Sequence, residues 1–384
     1  MLFRSTSSPL ICDAETGGLL GVRYLGERQE IRVLDERFGE VLAALELLSD
    51  GDVGELSSDR SGLRWTVSFV RDRDPAVTYL YDHTTGASRQ LFRPYPHLEP
   101  TAMAPMEPVT IEARDGRALP SFLTLPLGVD PTALPMVLFV HGGPWYRDSW
   151  GFDPAVQMLA NRGYAVLQVN FRGSTGYGKA HTNAAVGELA GAMHDDLVDA
   201  VKWAVQQGYA DRERVAIMGG SYGGYAALVG ATFTPDVFTA AVDLVGISDL
   251  ANFMRTQPSF LRASLVNNWY RFVGDPSDPE QEADMLARSP ISRLDASTAP
   301  LLIAQGANDP RVTRAESDNV VATLRSCGVH VDYLVFDDEG HGFVNPENTI
   351  AFYREVERFL AQHLGGREYS TSPSSVHAPS GSLS

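Results

Sequence analysis

Val215-Ala216-Ile217-Met218-Gly219-Gly220-Ser221-Tyr222-Gly223-Gly224 sets a serine between paired glycines directly behind a short apolar strand. The run passes into Tyr225-Ala226-Ala227-Leu228-Val229, whose small side chains suit a closely packed helix. Strand, Gly-x-Ser-x-Gly, helix is the sequence form of a nucleophile elbow. Its turn is so tight that the serine takes a strained backbone conformation and its hydroxyl stands clear of the sheet. Gly219 and Gly223 are required there because a Cβ at either place would strike the neighbouring strand or the following helix. With 35 glycines in 384 residues the pattern alone is a weak signal, and its flanks give it weight.

A serine hydroxyl is a poor nucleophile until a base takes its proton. An elbow therefore has meaning only if an acid and then a histidine follow on later strand ends. Asp309 lies in Gly306-Ala307-Asn308-Asp309-Pro310-Arg311, after the apolar strand Leu301 to Gln305. His341 lies in Asp338-Glu339-Gly340-His341-Gly342-Phe343, after a strand ending at Phe336. Each alone has an ordinary reading, a turn aspartate before proline and a surface-loop histidine. Together, at carboxyl strand ends and in the right order, they read as a Ser221, Asp309, His341 triad, with Asp249 and Asp337 as alternative acids.

Acyl transfer also needs donors for an oxyanion. The backbone N–H of Tyr222 supplies one, and the loop His141-Gly142-Gly143-Pro144-Trp145 after the strand Met136 to Val140 supplies the other. Gly143 is the preferred donor and Gly142 the next; His141 precedes the serine in the chain and reads as support for the loop. Trp145, Tyr146, Phe253, Trp269 and Tyr270 are candidates to line an apolar pocket, against the commoner use of aromatic residues in packing. Arg311 joins Trp145 and Tyr146 as a candidate substrate-binding residue.

Outward from the elbow, apolar runs alternate with helical segments: Met136 to Val140, Val166 to Asn170, Ala240 to Val245, Leu301 to Gln305 and Tyr333 to Phe336. Continuous apolar strands of this kind belong to a mostly parallel sheet buried on both faces, an α/β architecture. His194-Asp195-Asp196 opens one helix, the acidic pair suiting its dipole, and another runs from about Asn348 to His363 before Gly365-Gly366. Val109 to Glu112 and Ser121 to Leu125 form an antiparallel pair around Asp115-Gly116. Before the proline-rich stretch Arg93 to Pro108, read as a linker, short strands prevail. Trp65, Val67 and Phe69 alternate with polar residues, Asp82 to Gly86 turns a hairpin, and Glu40 to Leu48 is a single helical insert. Such sheets cannot bury both faces alone and must pack on something or belong to a larger repeat.

Composition narrows the function. Apolar residues at 44% and charged ones at 21% are ordinary for a globular chain, and a net charge of -17 opposes binding to a phosphate backbone. No nucleic acid partner is expected. Cys12 and Cys327 lie far apart with no Cys/His cluster, so neither a disulfide framework, a metal site nor a cofactor is expected. The first 20 residues lack a basic start followed by an apolar run, and no stretch approaches about 18 apolar residues. A cytoplasmic protein with no membrane partner is the expectation, and homo-oligomer formation is left open.

His141-Gly142-Gly143-Pro144-Trp145, Asn170-Phe171-Arg172-Gly173-Ser174-Thr175-Gly176-Tyr177-Gly178, Met193-His194-Asp195-Asp196, the elbow and Gly340-His341-Gly342-Phe343 together resemble the prolyl oligopeptidase family, in its acylaminoacyl-peptidase and dipeptidyl-aminopeptidase-like branch. The resemblance spans about residues 105 to 366. It implies an α/β-hydrolase fold, serine peptidase activity, and the triad named above. Family members carry a β-propeller before the hydrolase; here only about 100 residues precede it. The resulting organisation is a truncated β-propeller-like all-β segment over 1–100, an α/β-hydrolase catalytic domain over 101–366, and a disordered Ser/Pro-rich tail over 367–384. The expected activity is cleavage of short or N-acylated peptides through an acyl-enzyme on Ser221. The alternatives are a carboxylesterase using the same triad on small esters, and a non-catalytic or unstable truncated relative.

Overall fold

A computed structural model describes residues 10–368 except 262, 264 and 298. The tail expected to be disordered lies, past Glu368, outside the described residues. Two small antiparallel sheets come first. One holds β1 (Leu10–Cys12), β2 (Leu19–Leu25) and β3 (Gln29–Val33); the other holds β4 (Asp52–Ser58), β5 (Arg64–Val70), β6 (Val77–Asp82) and β7 (Ala87–Phe92). Trp65, Val67 and Phe69 do face one way and are buried. What covers them is the helical insert α1 (Glu36–Glu46), which turns Phe38, Val41, Leu42 and Leu45 onto the same core. It starts four residues earlier than expected because Asp35 caps it, accepting from the Phe38 N–H.

The main sheet has eight strands in the order β15-β14-β13-β12-β10-β11-β9-β8. They are β8 (Met106–Glu112), β9 (Ala118–Thr124), β10 (Leu134–Val140), β11 (Ala165–Val169), β12 (Ala210–Gly220), β13 (Ala240–Leu244), β14 (Leu301–Gly306) and β15 (Val331–Phe336). Strands β10 to β15 pair in parallel, and β9 and β8 add antiparallel at one end. This is the α/β-hydrolase architecture. Successive residues of the apolar strands feed opposite cores. Met136, Leu138, Val140, Ile217 and Ile303 pack on one side, and Val137, Ala216, Met218, Val242 and Leu302 on the other. Helices α2 (Pro154–Asn161), α3 (Lys179–Asn183), α4 (Ala192–Gln206), α5 (Tyr222–Phe233) and α6 (Leu250–Thr256) follow in chain order, and the last helix spans Pro346–Leu364.

Two expectations need correction. The stretch read as a linker up to Pro108 ends earlier, because β8 already begins at Met106. A proline is tolerated there since β8 is the sheet edge and one side of it needs no amide donor. The preceding turn is also fixed: Gln157 of α2 accepts from the Ala104 N–H and donates to the Ala104 and Asp72 carbonyls. The second correction concerns the acidic pair of α4. Asp195 lies in the first turn, but Asp196 is fully buried and pairs in two-pronged fashion with Arg172 at 2.6 and 2.8 Å. It serves a buried ion pair rather than the helix dipole.

Candidate active site

The elbow is built as its glycines demand. Ser221 sits at φ +59°, a left-handed conformation costly for a side chain, between β12 and helix α5, buried from Tyr222 to Thr232. A Cβ on Gly219 would lie 2.5 Å from the Val140 carbonyl oxygen, and one on Gly223 only 2.2 Å from it. The strand, the turn and the helix can therefore approach only with glycine at both places. The Ser221 N–H donates to the Leu244 carbonyl at 2.8 Å, which ties the turn to the end of β13.

Three strand ends converge on the serine. The Ser221 hydroxyl donates to His341 Nε2 at 2.9 Å, and His341 Nδ1–H donates to Asp309 Oδ2 at 2.7 Å. The other carboxylate oxygen of Asp309 accepts from the Arg311 and Val312 N–H groups at 2.8 and 3.0 Å. The Asp309 side chain is fully buried and that of His341 is 12% exposed, so this chain of hydrogen bonds sits where water competes little. The two alternative acids lie elsewhere in role. Asp249 caps α6 by accepting from Asn252 N–H, and the Asp337 carbonyl holds the Asn308 side chain.

The loop after β10 lies against the elbow. A Cβ on Gly142 would come within 3.6 Å of Ser221 Cβ, and Gly143 holds φ +122°, a conformation open to glycine. Among the described residues, the N–H groups of Gly143 and Tyr222 have no hydrogen-bond partner. His141 is buried beneath them. Its Nδ1–H donates to the Gly142 carbonyl at 2.8 Å, its Nε2 accepts from the Ser174 hydroxyl at 2.9 Å, and its ring stacks on Phe171. Burial first, and then the charge of Arg147, push its pKa down to about 4 despite the Gly142 contact, so it stays neutral. The bond to Gly142 fixes the peptide plane that carries the Gly143 N–H.

The aromatic candidates separate. Trp145 packs against Trp269 and Phe272, with ring centroids 5.2 and 4.9 Å away, and Phe253 joins Trp269; this group belongs to the core. Tyr270 is packed beside it. Tyr146 is exposed, edge-on to His141, and Arg311 is exposed beside Asp309. Other buried groups escaped the reading of the sequence. Glu339 accepts from the Val344 and Asn345 N–H groups and from the Asn348 side chain, stapling the His341 loop to the start of the last helix. Glu316 does likewise for Ser248, Asp249 and Asn252 at the start of α6. A glutamate among polar residues carries no periodic signal that would reveal either role. Among the described residues no group of three or more His, Cys, Asp or Glu side chains is placed to hold a metal ion, and no helix is long and apolar enough to cross a membrane.

Comparison with known proteins agrees with this architecture. The sequence profile of the prolyl oligopeptidase family matches residues 150–367. Dipeptidyl aminopeptidase BIII of Pseudoxanthomonas mexicana is 47% identical over 93% of the chain and 53% of its own length. Dipeptidyl peptidase family member 6 of Caenorhabditis elegans is 39% identical over 92% and 51%. The solved structure of a puromycin-hydrolyzing peptidase of Mycobacterium tuberculosis superposes with a TM-score of 0.81 at 29% identity, covering 95% of this chain and 55% of that one. The chain thus spans about half the length of the curated relatives it matches.

Proposed function

The chain belongs to the prolyl oligopeptidase family of serine-type peptidases, and from that premise we propose that it hydrolyses short peptides through an acyl-enzyme on Ser221. The observation that carries the reading is the continuous hydrogen-bonded line Ser221, His341, Asp309 at the ends of β12, β15 and β14. In this reading His341 takes the Ser221 proton as the oxygen attacks the scissile carbonyl. Asp309 holds the imidazole in the tautomer whose Nε2 can accept it and stabilises the imidazolium that forms. The N–H groups of Gly143 and Tyr222 receive the oxyanion, strengthened by the N-terminal end of α5. His341 then protonates the leaving amine and afterwards takes a proton from the water that frees the acid. Tyr146 and Arg311 stand exposed at the rim and are the side chains proposed to meet substrate; Trp145 supports the loop from within. A catalytic unit over 101–366, following the β-rich segment, is part of the same proposal.

The 47% identity to a dipeptidyl aminopeptidase makes release of N-terminal dipeptides the first specificity to test. A fluorophosphonate should label the folded protein and fail to label Ser221→Ala. Rates on dipeptidyl amides, acyl-peptides and short esters should then rank the amides as true substrates. Absence of labelling in folded protein refutes the reading, and turnover of esters without any amide replaces the peptidase by an esterase.

A further inference from the structure

Arg147 stands three residues past Pro144, at the far end of the loop that presents Gly143, and is only 8% exposed. Its guanidinium reaches away from that loop into the turn between β2 and β3. Nη1 donates to the Leu25 carbonyl at 3.4 Å and Nη2 to the Gly26 carbonyl at 3.2 Å. Nη2 also donates to the Tyr177 hydroxyl at 2.6 Å, the cation lies 4.2 Å over the Tyr177 ring, and Nε donates to the Asp148 carbonyl. The turn returns the grip: Arg28, two residues past Gly26, lies 3.7 Å over the Trp150 ring and is anchored by Asp52 at 2.6 Å. Trp150 Nε1–H in turn donates to the Met106 carbonyl. The segment 147–150 is therefore held at both ends by the β2–β3 turn.

The same segment is tied to the loop that carries Ser174. Thr175 N–H donates to the Tyr146 carbonyl, Asp148 N–H to Asn170 Oδ1, and Asn170 Nδ2 to the Tyr177 hydroxyl. Ser174 supports His141, which fixes the peptide of Gly142. Residues 141–146 have no ladder of their own, so the position of the Gly143 N–H depends on how both ends of the loop are held. His141 holds one end and Arg147 the other. The geometry points to Arg147 as a positioning residue through which the β2–β3 turn of the N-terminal segment sets the oxyanion loop, an inference that rests on the hydrolase reading above. On this view the N-terminal segment contributes to turnover.

The test compares wild type with Arg147→Ala, Arg147→Lys and Arg28→Ala in the full chain, with active sites counted by fluorophosphonate labelling. Arg28 is 40% exposed on its side chain, so its removal loosens the turn without opening a buried site. Because a displacement of about 1 Å at a catalytic group costs on the order of a hundredfold, Arg147→Ala should lower kcat per labelled site at least tenfold, with KM moved less than about twofold. Arg147→Lys should restore part of the loss, and Arg28→Ala should lower kcat about threefold. Unchanged kcat per labelled site in both alanine variants overturns the inference even if they melt earlier, since that is the result of a purely structural role. A wild type that does not label overturns the hydrolase reading, and this inference with it.

Discussion

Asp243→Asn probes the floor beneath the elbow. Asp243 stands in β13 opposite Gly219 of β12, is 1% exposed, and its Oδ1 has no hydrogen-bond partner among the described residues. The same oxygen would lie 2.3 Å from a Cβ on Gly224 and 2.2 Å from one on Gly246, so it fills the space those glycines leave. Burial pushes the carboxyl pKa up to about 7. The folded pKa thus exceeds that of the unfolded chain. Its contribution to stability is complete below about pH 4 and is lost as pH rises through about 7. Between pH 5 and pH 8 the loss amounts to about 3 kcal/mol by linkage. Asp243→Asn removes the ionisation while keeping the shape. The variant's stability relative to the parent should rise by about 3 kcal/mol between pH 5 and pH 8. Urea unfolding followed by tryptophan fluorescence at both pH values measures this directly. Parallel pH profiles for the two proteins would refute the reasoning, because they would mean that the buried carboxyl ionises as freely folded as unfolded.

The buried histidines act with the opposite sign. His194, pushed down to about 4 by burial and then by Arg114, should have its contribution lost as pH falls from about 6.5 towards 4, about 2 kcal/mol at pH 5. His194→Gln should flatten the acid limb of the urea-unfolding profile by that amount, whereas an unaltered limb would place the acid sensitivity elsewhere. Asp309→Asn leaves the two backbone donors an acceptor but presents His341 with the wrong tautomer. Amide turnover should fall by about 10³- to 10⁴-fold with the thermal midpoint little changed, measured as kcat per labelled site; a loss below tenfold would remove Asp309 from the role proposed for it.

The elbow was legible because steric necessity writes itself into residue type: only glycine fits where the Val140 carbonyl comes within van der Waals range of the turn. The alternation of apolar strands and helices likewise prescribed a sheet buried on both sides, and the two clusters that share β10 and β12 are its realisation. The order serine, acid, histidine at strand ends was enough to single out the three side chains that the fold brings within hydrogen-bond distance. What stayed hidden were pairings between distant loops. Asp196 beside Asp195 looks like one more acid at a helix start, and only the return of the chain at Arg172 gives it a partner. Arg147 looks like a loop cation, because two of its acceptors are backbone carbonyls over 120 residues away, which no side-chain pattern encodes. The edge position of β8, which excuses Pro108, is equally a property of the assembled sheet.

The four parallel strands β12 to β15 stand in direct register, Gly220 beside Leu244, Leu244 beside Ala304, and Gly306 beside Phe336. A slip of one residue anywhere across them would shift one side chain of the proposed triad along the strand by about 3.3 Å, more than the length of the hydrogen bond that joins Ser221 to His341. On the proposed mechanism, turnover is therefore a ruler laid across the sheet. A misthreaded but compact molecule could keep its helices and its far-ultraviolet spectrum and still be silent towards substrate, so recovery of activity after refolding reports correct strand alignment where spectroscopic recovery reports only secondary structure.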